Sequence, residues 1–119
     1  PDHIEVAMTL QNLGCAAGDC GDFSDQVKHL ERALEIMQRT GVEKIEIAKI
    51  VGNLGIAYGD LGNRHRMKQL LEDSLLAKEA FYGDANSEEA IVEVGIALKN
   101  LGAANGKLGN LAEARAQFE

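Results

Sequence analysis

Apolar residues recur every three or four positions along most of the chain. Val6, Leu10, Leu13 and Ala17 form one stripe, Ile47, Val51, Leu54, Tyr58 and Leu61 a second, and Val94, Leu98, Leu101 and Leu108 a third. Each is followed by another: Val27, Leu30, Ala33, Leu34 and Met37; then Met67, Leu71 and Leu75; then Leu111, Ala114 and Phe118. This is the spacing of helices, not strands. It predicts helices over residues 2–18, 22–39, 43–61, 64–81 and 88–108, and a sixth from Leu111 onward. Asp2 with Glu5, Asn86 with Glu89, and Asn110 with Glu113 have capping-box spacing, and Asp22 and Asn63 hold the place of Asn110. The single proline is Pro1, so no interior proline interrupts a helix.

The stripes repeat because the sequence repeats. "NLGCAAGDCGD" from Asn12, "NLGIAYGDLGN" from Asn53 and "NLGAANGKLGN" from Asn100 are one phrase at offsets of 41 and 47 residues. Downstream, "HLERALEI" from His29 aligns with "LLEDSLLA" from Leu70, and the terminal "QFE" aligns with the start of both. The extra residues of the second offset fall near "FYGDANSEEA". The chain thus divides into units of about 1–41, 42–83 and 84–119, each a pair of helices, with the third stopping within its second helix. That truncation implies a piece of a longer protein.

Nine of the 13 glycines fall in equivalent triplets, 14/18/21, 55/59/62 and 102/106/109, so one explanation must serve all three. Gly21, Gly62 and Gly109 are expected to end the first helices in the left-handed conformation. Gly14, Gly55 and Gly102 lie inside helices, where each costs about 1 kcal/mol relative to alanine. A cost repeated in every unit points to a contact with no room for a side chain, where the two helices of a hairpin cross. A phosphate loop does not fit, because GxxxxGK[ST] is missing and no β-branched strand leads into the glycines.

With 45% apolar residues the chain can build a core, and with 4% aromatics that core must be aliphatic. A net charge of −7 argues against a nucleic-acid partner, which needs a basic stripe, and against anionic membrane. No run approaches the roughly 20 apolar residues of a bilayer span. No signal peptide is visible in a sequence that starts at Pro1, and the expected location is cytoplasmic. Cys15 and Cys20 fall on different faces of one helix, so they are expected to be buried free thiols in a reducing compartment. His3, His29 and His65 occupy unrelated repeat positions without ligand-spaced partners and are expected at the surface. "GDCGDFSD" lacks the closing Glu of a calcium loop, and no Ser, Cys or Lys comes with a placed base. Neither an enzyme, a metal nor a cofactor is expected.

In sum these residues resemble the tetratricopeptide repeat. The pairs Leu13–Gly14, Leu54–Gly55 and Leu101–Gly102, the turn glycine with its polar follower, and Leu30 with Ala33, Leu71 with Ser74 and Ala114 with Phe118 carry the likeness. A period of about 42 residues, longer than the common repeat of about 34, together with "PDHIEVAMTLQNLG" and "ALEI", resembles the kinesin-light-chain type. Departures are Arg64 where Phe23 and Leu111 are apolar, Gln26 where Ala114 is small, and Ala17 and Asn105 where Tyr58 is aromatic. The resemblance implies an all-α, right-handed superhelical array of antiparallel hairpins, an α-solenoid with first helices lining a concave face. It also implies a protein-interaction module that takes an extended peptide or partner segment in that groove.

On the first helices, i, i+3/i+4, i+7, i+11 spacing gives one row per unit: Met8, Gln11, Asn12, Cys15, Asp19; Lys49, Gly52, Asn53, Ile56, Asp60; Ile96, Lys99, Asn100, Ala103, Lys107. Asn12, Asn53 and Asn100 recur at one position, and an amide can pair with both the N–H and the C=O of a peptide; family members resemble this use of asparagine. Lys49, Lys99 and Lys107, with Gln11 and Ile56, complete the expected peptide-binding set, which would suit an acidic segment or a terminal carboxylate. The two-carboxylate clamp of chaperone-binding members wants a basic residue where Asn100 stands, so that partner is not expected. The alternative is a structural spacer or self-assembling segment, in which the asparagines fix repeat stacking and the lysines are solvated. Ile91, Val94, Leu98, Leu101 and Leu108 have lost part of their covering helix, which predicts further repeats or self-association through the open C-terminal end.

Overall fold

The computed structural model describes the backbone of residues 3–41, 44–83 and 87–117, and the side chains of 4–41, 44–83 and 87–104. Five helices follow one another: α1 (His3–Asp19), α2 (Phe23–Thr40), α3 (Lys44–Asp60), α4 (Arg64–Tyr82) and α5 (Glu88–Gln117). No strand occurs among the described residues. α1 and α2 form one hairpin and α3 and α4 the next; α3 lies against α2, and α5 against α4. The result is an all-α solenoid of helical hairpins, 56 × 36 × 21 Å.

The two hairpins close by the same chemistry. Asp22 N–H donates to the Ala17 carbonyl at 2.8 Å and Asn63 N–H to the Tyr58 carbonyl at 2.9 Å, the long bond of a glycine-ended helix. Gly21 and Gly62 sit at φ 82° and 98°, where a Cβ would clash with the backbone. The next helix starts at once: the Asp22 carboxylate accepts from Asp25 N–H, and the Asn63 amide oxygen from Arg66 N–H, each at 3.2 Å.

The third unit departs from the expectation. No turn forms at Gly109, and α5 runs on as one 30-residue helix through Asn110 to Gln117, so the cap expected from Asn110 with Glu113 caps nothing. The reason is what each turn allows to be buried. A turn gives up the hydrogen bonds that a continuous helix adds residue by residue. α2 offsets that loss by burying Val27, Leu30, Ala33, Ile36 and Met37, and α4 by burying Met67, Leu70 and Leu71. In the sequence after Asn110, Leu111, Ala114 and Phe118 stand at the equivalent positions. Phe118 lies outside the described residues, as do the expected caps Asp2 and Asn86. α5 is capped instead by Ser87, whose hydroxyl accepts from Ala90 N–H at 3.1 Å.

Each first helix has two packing faces. Ala7, Leu10, Gly14 and Gly18 face the partner within the hairpin, as do Ala48, Val51, Gly55 and Gly59; all are buried or half-buried. Their equivalents Gly95, Leu98, Gly102 and Gly106 are exposed. The second face meets the preceding unit. Ile50, Leu54 and Ala57 are buried there, as are Ala97 and Ala104, while Thr9, Leu13 and Ala16 on α1 are exposed, with no described helix over them. The main core, with Leu30, Ile50 and Leu54 at its centre, therefore lies between the first hairpin and α3.

The glycines mark the close approach. A Cβ on Gly14 would stand 3.2 Å from Leu30, and one on Gly55 3.2 Å from both Leu70 and Leu71. A Cβ on Gly102 would meet nothing within 4 Å among the described residues, because no second helix covers it. Gly55→Ala should therefore cost about 1–3 kcal/mol, and Gly102→Ala should gain about 0.5–1 kcal/mol of monomer stability, by chemical denaturation at low protein concentration. Equal effects at the two sites would contradict the crossing.

Where Met67 fills the space beside Gly59, Gln26 fills the space beside Gly18, and its amide oxygen is buried with no hydrogen-bond partner. An unmet buried acceptor costs about 1–3 kcal/mol. Gln26→Met should raise the denaturation midpoint, and a fall would show that the amide is bonded in solution.

Candidate functional site

The packing faces leave one face of each first helix free. It carries Met8, Asn12, Cys15 and Asp19 on α1, Lys49, Asn53, Ile56 and Asp60 on α3, and Ile96, Asn100 and Ala103 on α5. Most of these residues are exposed; Lys49, Asn53 and Asn100 are half-buried. The repeat brings the three rows to one side of the solenoid, since α1, α3 and α5 hold equivalent places in successive units. Cys15 and Cys20 are free and exposed, contrary to the expected burial. Cys15 belongs to the outward row, and Cys20 sits in the turn after α1, away from both packing faces.

The asparagines stand at equivalent points on the three rows. Among the described residues, no hydrogen bond involves the side-chain amide of Asn12, Asn53 or Asn100. Gln11 is half-buried at the edge of the row and Lys99 exposed at the equivalent place. Between them Gly52 is buried, where a Cβ would stand 3.0 Å from the Ser74 hydroxyl. That hydroxyl donates to the Ala48 carbonyl at 2.7 Å and draws α3 and α4 together. Lys49 Nζ lies 3.6 Å from Glu46 on the same helix. Such a surface pair is worth about 0–1 kcal/mol, so the ammonium remains available to another carboxylate. The side chain of Lys107 lies outside the described residues.

Four side-chain contacts fix the helices relative to one another. The Tyr58 hydroxyl on α3 donates to Glu31 on α2. This bond, with desolvation and the nearby carboxylate charge, holds the Tyr58 pKa above the ordinary tyrosine value, so the hydroxyl stays a donor at neutral pH. Arg66 stacks over the same ring, 5.8 Å from its centre. Between α4 and α5, the buried Lys78 pairs with Glu93 at 3.3 Å, and the Tyr82 hydroxyl donates to Glu89 at 3.2 Å. Lys78 occupies the repeat position of Met37, so this second interface replaces apolar packing with an ion pair. The repeat alignment contained that signal, as a lysine at an inward position.

Beside this interface a cleft of about 510 Å³ opens between the end of α4 and α5, lined by Glu79, Tyr82, Ala90, Ile91, Val94, Gly95 and Leu98 among others. It is the uncovered hairpin face of α5. No group of His, Cys, Asp and Glu suited to a metal ion occurs among the described residues. No helix among them is long and apolar enough to cross a membrane.

This geometry has counterparts among known proteins. Residues 6–40, essentially the first hairpin, match the tetratricopeptide repeat family. Among solved structures, the TPR domain of Arabidopsis FLU has a similar fold, with a TM-score of 0.64 at 18% identity over 98% of this chain and 99% of that one. No curated protein sequence matches the chain.

The Lys78–Glu93 pair positions Asn100 relative to Asn53 by holding α5 on α4. Glu93→Ala strands a buried ammonium and should cost about 3 kcal/mol, whereas Lys78→Met, which restores the residue type of the first unit, should be neutral or stabilising. Thermal melts of the two variants check this; a larger loss for Lys78→Met would show that the pair, not its burial cost, dominates.

Proposed function

We propose that this tetratricopeptide repeat array, a protein-interaction module by its fold, takes an extended peptide along the outward rows of α1, α3 and α5. The observation that carries the reading is the asparagine ladder. Asn12, Asn53 and Asn100 recur at one repeat position, face outward, and form no inter-repeat bond among the described residues. Each amide is left with a donor and an acceptor to offer. A peptide backbone presents the complementary groups at regular spacing, and a groove of repeated amides suits it in a way that a single pocket does not.

The ligand charge follows from the side chains near the ladder. Lys49 and Lys99 flank Asn53 and Asn100, and Lys107 lies one row further along α5 in sequence. They favour an acidic segment or a C-terminal carboxylate at the α3–α5 end. Asp19 and Asp60 on the outward row favour a polar or basic residue at the turn end of the first helices. Gln11 and Ile56 supply a polar and an apolar contact beside the ladder. A pure spacer would instead use the asparagines to join repeats, and no such bond supports that alternative.

Panning a peptide library against the chain, then titrating the selected peptide by fluorescence, tests the reading. Asn53→Ala should weaken binding by about 1–3 kcal/mol, the worth of one or two hydrogen bonds, with little change in melting temperature. Lys99→Ala should weaken an acidic peptide by less than about 1 kcal/mol and flatten the salt dependence. If Asn53→Ala lowers the melting temperature sharply and leaves the affinity of the folded fraction unchanged, the spacer reading replaces this one.

A further inference from the structure

We propose that the segment taken by the outward rows lies in the polyproline-II conformation and carries an apolar, an acidic and an apolar side chain at every third position. The inference rests on the peptide reading above and adds the ligand's conformation and sequence pattern. It starts from a second ladder beside the asparagines. One helical turn before Asn12, Asn53 and Asn100 stand Met8, Lys49 and Ile96, on the same faces of α1, α3 and α5. Met8 is 55% and Ile96 46% exposed, and Lys49 meets Glu46 in the surface pair already described. Each first helix thus offers an amide for a backbone and, next to it, a side chain that tells residues apart. Across the array these are apolar, cationic and apolar.

The packing of the array leaves this face open. α3 lies against α2 and α4 and touches α5, yet Ile56 and Asp60 on its outward row are exposed and Lys49 and Asn53 half-buried. Met8 and Ile96 hold the place of Lys49 in their own units. Apolar ligand side chains laid on Met8 and Ile96 remove them from water, and an acid between them meets Lys49.

Spacing selects the conformation. The contact of α3 with α5 sets successive first helices about 8–10 Å apart. A polyproline-II chain rises about 3.1 Å per residue and turns once in about three, so residues i, i+3 and i+6 share a face at intervals of about 9 Å. A β-strand shows the same face every second residue, at about 7 Å, or every fourth, at about 13 Å, and falls out of step with the rows. An α-helix matches the distance with i and i+7, at about 10.5 Å, but its backbone groups are bonded within the helix and leave the asparagine amides without partners. A polyproline-II chain has no internal hydrogen bonds, so its N–H and C=O groups are free to pair with Asn12, Asn53 and Asn100.

Phage-displayed peptide libraries that differ only in spacing test the pattern. Each fixes Leu, Glu and Leu among random positions: at i, i+3, i+6; at i, i+2, i+4; at i, i+4, i+8; or at i, i+7, i+14. The best peptide of each is titrated by fluorescence. The i, i+3, i+6 library should give the tightest binder, by about tenfold. Met8→Ala and Ile96→Ala should each weaken that peptide about tenfold, the loss of one apolar contact. Lys49→Glu should reverse the preference at the central position from Glu to Lys. Asn53→Ala reports on the groove itself. If binding falls with Asn53→Ala but the tightest peptide comes from another spacing, or the central Glu is still preferred by the Lys49→Glu chain, this inference is overturned and the groove reading stands. Binding that ignores Asn53→Ala, or no binding from any library, overturns both.

Discussion

The close approach of two antiparallel helices at a pair of glycines is the constraint on which the rest of the solenoid depends. A glycine inside a helix loses stability, and it is retained only where the neighbouring helix uses the space. At Gly14 and Gly55 the neighbour brings Leu30, Leu70 and Leu71 to van der Waals distance of the backbone. That contact fixes the angle and depth of the hairpin. It thereby sets which side of α2 and α4 remains to receive the next unit, so that α3 lands on α2 and α5 on α4. The left-handed glycine at the turn only permits the reversal. What makes the reversal favourable is the apolar face of the helix that follows, as the uninterrupted α5 shows.

The same constraint organises the surface. Once one face of each first helix is committed to its hairpin and another to the preceding unit, the remaining face must point outward in every unit. Asn12, Asn53 and Asn100 share that face because they share a repeat position, and the repeat gives a groove-like series without any residue selecting it locally. The two stackings are not equal. The first is aliphatic, built on Ile36 and Met37; the second substitutes Ala77 and the Lys78–Glu93 pair. A peptide bridging α3 and α5 would span the more polar and more adjustable of the two junctions.

Much of this was legible in the sequence. Four of the helices, the glycine ends of α1 and α3 and the caps at Asp22 and Asn63 follow from periodicity and turn chemistry, because those features act within a few residues. The hairpin crossing at Gly14 and Gly55 was legible because a costly residue recurred. The third turn was misread for an equally local reason: Gly109 and Asn110 have the right types, but a turn is decided by what the chain beyond it can bury. Burial of Cys15 was misassigned because small thiols fit either side of a helix, although the repeat register already sets position 15 on the row of Asn12. The Tyr58–Glu31 and Lys78–Glu93 contacts join residues on different helices, and no spacing rule reaches them. The fold resembles that of a known tetratricopeptide domain, but which ligand the asparagine row takes depends on side-chain details outside the repeat pattern.

The central claim is that the following helix, not the glycine, makes the turn. It can be tested by supplying that helix: residues Arg32–Thr40 are repeated after Glu119, and spin labels are placed at Ala103→Cys and Ala116→Cys in a chain without Cys15 and Cys20, diluted in unlabelled protein. In the unextended chain the labels should lie about 20 Å apart along a straight helix. In the extended chain the distance should fall to about 10 Å, the separation of packed helices, as the third hairpin closes on Gly102 and Gly106. A distance that stays near 20 Å in the extended chain would contradict the account.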